Sequence, residues 1–171
     1  NGEGMTIIKG NKIITAENGI SLPSPSTPNG IVAGWFLNLS GASDPALRNK
    51  IIVTGNQIET RGVTSIGIIV ISDGATIVSN TISLNGGKKA KGILHFNSHA
   101  TITHNRIEGS GMAGVLLTPW KAFKGDQNTL VNNDFSKLYA SGANLILRSL
   151  NNIVVGDCGK IVDHSKTNLV F

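Results

Sequence analysis

What the chain lacks sets the first limits. Cys158 is its one cysteine, which excludes an intramolecular disulfide and a Cys-based zinc centre. A lone thiol of this kind reads as a small buried hydrophobe. The longest apolar run, "GIIVI", is far too short to span a membrane. No secretory signal is recognisable, and Asn1–Gly4 ahead of Met5 reads as a tag remnant. The compartment stays open, an extracellular or cell-surface one included. Acidic residues number ten and are scattered, whereas glycoside hydrolysis needs two carboxylates held close together. Asp126 and Asp134 come nearest to a pair, and both read as turn and surface residues. No acidic cluster offers the converging oxygens of a calcium site. His95, His99, His104 and His164 accompany no nucleophile motif. His99 and His104 flank one strand, but no third metal ligand stands at a suitable spacing. No metal or cofactor is expected.

What is present is glycine (21 residues), aliphatic side chains and a basic balance. Apolar residues make up 40% of the 171, enough for one domain with a real core. The net charge of +5 favours anionic partners. The Lys and Arg residues are spread along the chain, apart from "KKAK" at Lys88–Lys91, which argues against nucleic acid.

One pattern recurs: "IIVTGNQI", "ATIVSNTI", "ATITHNRI", "NTLVNNDF". Its shared residues are Asn56, Asn80, Asn105 and Asn133, spaced 24, 25 and 28. "TIIKGNKI" puts Asn11 in the column, and "NNIVVGDC" puts Gly156 there. Three residues earlier stand Ile8, Val53, Ile77, Ile102, Leu130 and Ile153. Two later stand Ile13, Ile58, Ile82, Ile107, Phe135 and Cys158. Nine to twelve residues after most of these Asn, a second apolar strand begins at Gly67, Gly92, Gly114 and Ala143. A variable period near 25, rich in Ile, Val and Thr and broken by Gly and Asn, predicts a β-solenoid of stacked parallel strands.

These repeats resemble the right-handed parallel β-helix proteins, the pectin-lyase-like superfamily with its N-x-I units. The resemblance is strongest over Ile51–Asp157. It implies an all-β fold: a single-stranded right-handed parallel β-helix of five or six rungs with capped ends. It implies no particular activity, because lyases, hydrolases, epimerases, tailspikes and binding proteins share it. The "N-T-D", "D-D", "G-H-G" and "R-I-K" set of polygalacturonases is absent. "IVDH" at Ile161–His164 is similar to a pectate-lyase stretch, but lacks the accompanying arginine motif. No catalytic residue is assigned.

A repeated Asn has a physical reason in such a stack. Amides directly above one another can donate to one neighbour and accept from the next. Asn56, Asn80, Asn105 and Asn133 are therefore expected to form a structural ladder. The whole chain, 1–171, reads as one domain. Residues 5–50 hold irregular N-terminal turns and a cap, with "SLPSPSTPNG" (Ser21–Gly30) as a Pro-rich cover. Residues 51–158 are the regular rungs, and 159–171 the C-terminal cap. Insertions at Gly41–Arg48 and Trp120–Gln127 should project from one edge, where solenoids commonly bind.

Two outward surfaces are expected. Beside the first strand, the pairs Ile52/Thr54, Thr76/Val78, Thr101/Thr103, Thr129/Val131 and Asn152/Val154 should face out. Their Thr/Val content is similar to the ice-binding faces of antifreeze solenoids, and is also what plain β-propensity produces. On the second strand, Ile69, Ile71, Leu94, Phe96, Leu116, Thr118, Leu145 and Leu147 are expected inward. Ile68, Val70, Ile93, His95, Val115, Leu117, Asn144 and Ile146 are then outward, and Trp35 and Leu37 extend their row. An apolar row of that length predicts a homo-oligomer interface through Ile68, Val70, Ile93, Val115, Leu117 and Ile146. The candidate ligand contacts are Lys88, Lys89, Lys91, His95, Trp120, Lys121 and Lys124, a cationic and aromatic set suited to an acidic polysaccharide. The leading functional expectation is a carbohydrate-binding β-helix module without a catalytic set. Its rivals are a structural, assembly or adhesin module, a polysaccharide lyase or hydrolase with an unfamiliar site, and an ice-binding protein.

Overall fold

A computed structural model describes residues 5–15, 29–34, 50–119, 125–156 and 159–171. Their regular structure is entirely β. In chain order the strands are β1 (Met5–Lys9), β2 (Lys12–Thr15), β3 (Asn29–Gly34), β4 (Lys50–Thr54), β5 (Gln57–Thr60), β6 (Ile66–Ile71), β7 (Thr76–Val78) and β8 (Thr81–Asn85). They continue with β9 (Lys91–His95), β10 (Thr101–Thr103), β11 (Arg106–Leu117), β12 (Thr129–Val131), β13 (Leu138–Leu147), β14 (Ile153–Val155), β15 (Ile161–Asp163) and β16 (Leu169–Val170).

All pairing is parallel, and it builds three stacks. The first runs β1-β4-β7-β10-β12-β14-β16, seven strands deep. The second runs β2-β5-β8 onto the start of β11, and the third runs β3-β6-β9 onto its end. β11 turns the corner between them, with its register shifted between Gly111 and Ala113. β13 follows β11 through both halves. Each strand is short and each turn returns the chain one level up, at roughly 4.8 Å per level.

The core lies between the stacks. Val53, Ile77, Ile102, Leu130 and Val154 enter it from the first. Ile58, Ile82, Ile107 and Phe135 enter from the second, and Ile68, Val70, Ile93, Val115, Leu117, Leu145 and Leu147 from the third. Glycine is required where the third stack begins. A Cβ on Gly92 would stand 2.7 Å from the Ile107 methyl and 2.5 Å from the Gly114 carbonyl oxygen.

The corner after each first-stack strand explains the Asn column. Gly55, Ser79, His104 and Asn132 take left-handed φ between 52° and 63°, which bends the chain and turns the next residue inward. That residue is Asn56, Asn80, Asn105 or Asn133, each buried. The Nδ2 of Asn11 donates to Oδ1 of Asn56, Asn56 to Asn80, Asn80 to Asn105, and Asn105 to Asn133, at 2.9–3.0 Å. Each Oδ1 also accepts the backbone N–H of the Asn below it, and the Nδ2 groups reach carbonyls such as Ile77 O. A second ladder stands at the opposite end of the same strands. Asn128 donates to Asn152, and Asn152 to Asn168. It replaces Ala75 and Ala100 of the lower levels, which pair in the same position.

Several sequence expectations are corrected by the register. Val131 pairs with Val155, so Gly156 continues the left-handed column of Asn132 and stands one position before the Asn column. The inward residue of β14 is accordingly Val154, and Ile153 and Val155 face out. Asn152 and Val154, expected outward, are both buried. Ala143 pairs with Ala113, so the residue level with Gly114 is Asn144.

The alternation on the third stack is opposite to that expected for three of its levels. Ile68, Val70, Ile93, Val115 and Leu117 point into the core, whereas Ile69, Ile71, Leu94, Leu116 and Ile146 form a separate outer cluster. Of the six expected interface residues only Ile146 lies on the outer side. Leu145 and Leu147 are inward as read. These five residues are themselves only 3–7% exposed within the single chain, so the bare apolar row that pointed to an oligomer is missing. Residues 159–171, expected to cap the stack, hold β15 and β16, which pair onto β13 and β14 and continue both sides of it. The expected Pro-rich cover before Asn29, the insertion 41–48, Trp35 and Leu37 lie outside the described residues, as does Cys158.

Candidate functional site

The outward face of the second stack carries the molecule's polar groove. Because the Ile of each level is pinned inward, the next residue must point out. Those residues are Glu59, Ser83 and Glu108, in register on β5, β8 and β11. Gly109 pairs with Leu138, which sets Lys137 beside Glu108. One column further along stand Asn85, Ser110 and Tyr139.

Ser83, Asn85, Glu108, Gly109 and Lys137 line an open groove of about 400 Å³. Its polar groups are held in place. Ser83 Oγ donates to Glu108 Oε1 at 3.1 Å, Asn85 Nδ2 donates to Glu59 Oε1 at 3.1 Å, and Arg106 Nε reaches Glu108 Oε2 at 3.1 Å. Arg61 pairs with Glu59 at 2.7 Å. The hydrogen bonds from Arg61 and then Asn85 hold the Glu59 carboxyl below the usual carboxylate range. At neutral pH it is an anion that accepts hydrogen bonds and has no proton to give, so it lacks the raised pKa of a general acid. The floor at Gly109 is backbone: its φ is +96°, and a Cβ would run into the Leu84 carbonyl. Beside the groove the Tyr139 ring is 81% exposed. Charged, amide and hydroxyl groups next to a bare aromatic ring can bind a polyhydroxylated ligand by stacking and hydrogen bonds.

The residues expected to bind ligand fall into three groups. Lys88 and Lys89 are exposed in the corner that follows Asn85. That corner meets the polar face, because Ser141 Oγ donates to the Lys88 carbonyl at 3.1 Å, two residues from Tyr139. Lys91 is half-buried and its Nζ bonds the Lys89 carbonyl. Burial, and then the nearby Arg148 and Lys89 charges, lower its pKa. His95 is a correction. Expected on the surface, it is fully buried in the core, with Nδ1 3.1 Å from Val70 O and Nε2 unpartnered. Burial lowers its pKa to about 4, so it is neutral and donates through Nδ1. Trp120, Lys121 and Lys124 lie outside the described residues.

The groove itself went unread in the sequence. Its signal is a polar column three residues after each Asn, namely Glu59, Ser83 and Glu108. Its two carboxylates are two levels apart with Ser83 between them, so they form no close pair across adjacent levels. Another polar column sits on the opposite corner. There His99 Nδ1 meets Asp73 Oδ1 at 2.8 Å and its Nε2 meets Gln127 Oε1 at 2.6 Å. The Asp73 hydrogen bond is the main cause of its raised pKa. Among the described residues no group of three or more His, Cys, Asp or Glu could hold a metal ion. Among the same described residues no helix is long and apolar enough to cross a membrane.

No curated protein and no solved structure matches the chain. A family model described as a right handed beta helix region matches residues 1–168, nearly its full length. With the parallel stacks, the inward aliphatic columns and the Asn corners, that match shows that the chain belongs to the right-handed β-helix family.

Proposed function

We propose that the protein is a carbohydrate-binding β-helix module that holds a saccharide on the outward face of its second stack. The observation that carries this reading is the exposed Tyr139 ring beside the groove of Ser83, Asn85, Glu108 and Lys137. An aromatic face covers the apolar face of a sugar ring, and fixed donors and acceptors meet its hydroxyls. Lys137 with Lys88 and Lys89 at the adjoining corner, on a chain of net charge +5, favours a saccharide bearing carboxylates or sulfates.

Glycan-array binding followed by titration tests the reading. Wild type should bind an acidic oligosaccharide, and Tyr139→Ala and Lys137→Ala should each weaken it. A wild type that binds no glycan, or a Tyr139→Ala variant that binds as well as wild type, overturns it in favour of a structural or adhesin module. Release of unsaturated oligosaccharides from pectin-like polymers would instead mark a lyase.

A further inference from the structure

The outward face of the first stack is a second, different surface. Register places Thr76, Thr101 and Thr129 in one column, and Val78, Thr103 and Val131 in the next. The columns extend through Ile52 and Thr54 to Ile7 and Lys9 of β1 below, and through Ile153 and Val155 to Leu169 and Phe171 at the last level above. Every outward position from β4's Ile52 to β14's Val155 is β-branched and none is charged, on a chain with 15 Lys and Arg. Thr101, Ile153 and Val155 are exposed.

The chemistry of this face narrows its occupant. Its five central levels carry no charge, and Lys9 and Lys50 stand only at the lower edge, so those levels offer nothing to an anionic polymer. Without an aromatic ring across these five levels it offers no stacking platform to a crystalline polysaccharide. Five strands at roughly 4.8 Å and two columns give roughly 250 Å², against about 800 Å² per partner in a stable protein interface. A second copy or a protein partner would also seek anchor pockets, and a flat sheet face provides none. What remains is a regular array of β-branched side chains in which Thr54, Thr76, Thr101, Thr103 and Thr129 carry hydroxyls, that of Thr103 donating to the Val131 carbonyl. β-Branched side chains are stiff at χ1, so the array is ordered before anything binds. It repeats at the inter-strand spacing along one direction and at about 6.6 Å along the other. Water can be held in register on such an array: the hydroxyls anchor it and the methyl groups bound it without competing for hydrogen bonds.

We propose that this face binds ice. An ice surface is flat and uncharged, and its oxygen atoms repeat on a lattice of comparable dimensions. Its extent is unlimited, so a small rigid patch can adsorb where a protein partner would dissociate.

The test is the growth of single ice crystals in purified protein, read as crystal shape and as the gap between melting and freezing temperatures. Wild type should shape crystals and open a gap. Thr101→Tyr, which raises a bulky ring from the middle of the array, should lose most of the gap while its thermal unfolding stays unchanged. Tyr139→Ala should keep the whole gap, which separates this face from the saccharide groove. Should Thr101→Tyr unfold early, Thr76→Lys reads the same face. Round crystals and no gap with wild type overturn the proposal, as does a full gap in both variants. A wild-type dimer that Thr101→Tyr dissociates also overturns it, since a second copy then occupies the face.

Discussion

The outer faces of the first and second stacks share one interior and differ in everything that points away from it. Both alternate an inward aliphatic residue with an outward one, and both rise through the same levels. On the first, the outward residues from Ile52 to Val155 are β-branched and uncharged, with Lys9 and Lys50 at the lower edge. On the second they are Glu59, Ser83, Glu108 and Lys137, with Asn85 and Tyr139 alongside. The core sets no condition on these positions, because a strand satisfies it with alternate residues only. The contrast is therefore a property of the surfaces, and teaches that outward columns, read level by level, vary independently of the fold.

Removing what the two faces share should have the largest effect. In Asn105→Ala, the Asn80 backbone N–H and the Ile77 carbonyl lose their Asn105 partners, whereas Asn80 Nδ2 keeps the Val53 and Val78 carbonyls. At about 1–3 kcal/mol per buried group left unsatisfied, the variant should lose about 3–5 kcal/mol. Both faces should fail together in binding and ice-growth assays, and a chemical denaturation midpoint equal to wild type would refute the shared frame. The next effect is acid-dependent. His95 titrates near 4 when folded and at an ordinary 6.5 when unfolded. The unfolded chain takes up the proton first, so stability is complete above pH 6.5 and falls as pH drops toward 4, by about 3 kcal/mol. His95→Leu should flatten that slope in pH-dependent melting. His99 works with the opposite sign: its pKa is raised mainly by Asp73, so its contribution is present below pH 6.5 and is lost as pH rises. Being exposed, it contributes little.

Substitutions on one face should sharpen the contrast. Tyr139→Ala should cost about tenfold in saccharide affinity, about 1.4 kcal/mol, and leave ice growth and stability unchanged. Thr76→Lys should change stability by no more than about 0.5 kcal/mol while it damages the first face alone, as paired melting and ice-growth measurements would show.

The sequence reveals the architecture wherever a column is chemically distinct. The Asn column reads clearly, because a buried amide must recur at each level to find its partner. The phase of the third stack does not, since Ile68 and Ile69 are both aliphatic and both covered. Alternation without a polar partner gives direction no sign. Gly67, Gly92 and Gly114 leave room for Ile82, Ile107 and Phe135 where each third-stack strand begins, and the alternation does not carry through them: Ile66 lies in the outer cluster and Ile68 in the core. Gly156 misled for a related reason: left-handed φ is satisfied by Gly, Ser, His or Asn, so the residue before the ladder mimics a degenerate ladder position. The polar groove was written in single residues one turn apart, and only the register assembles them.

The direction of the ladders has an electrical consequence. From Asn11 to Asn133, and again from Asn128 to Asn168, each amide-to-amide bond is donated toward the later level, while the same Nδ2 groups also reach backbone carbonyls such as Val53 O and Ile77 O of the earlier one. Amide dipoles set head to tail add and polarise one another, whereas the strand dipoles of a sheet largely cancel. The two Asn columns therefore contribute a dipole component along the stack axis, with its positive end at the later levels.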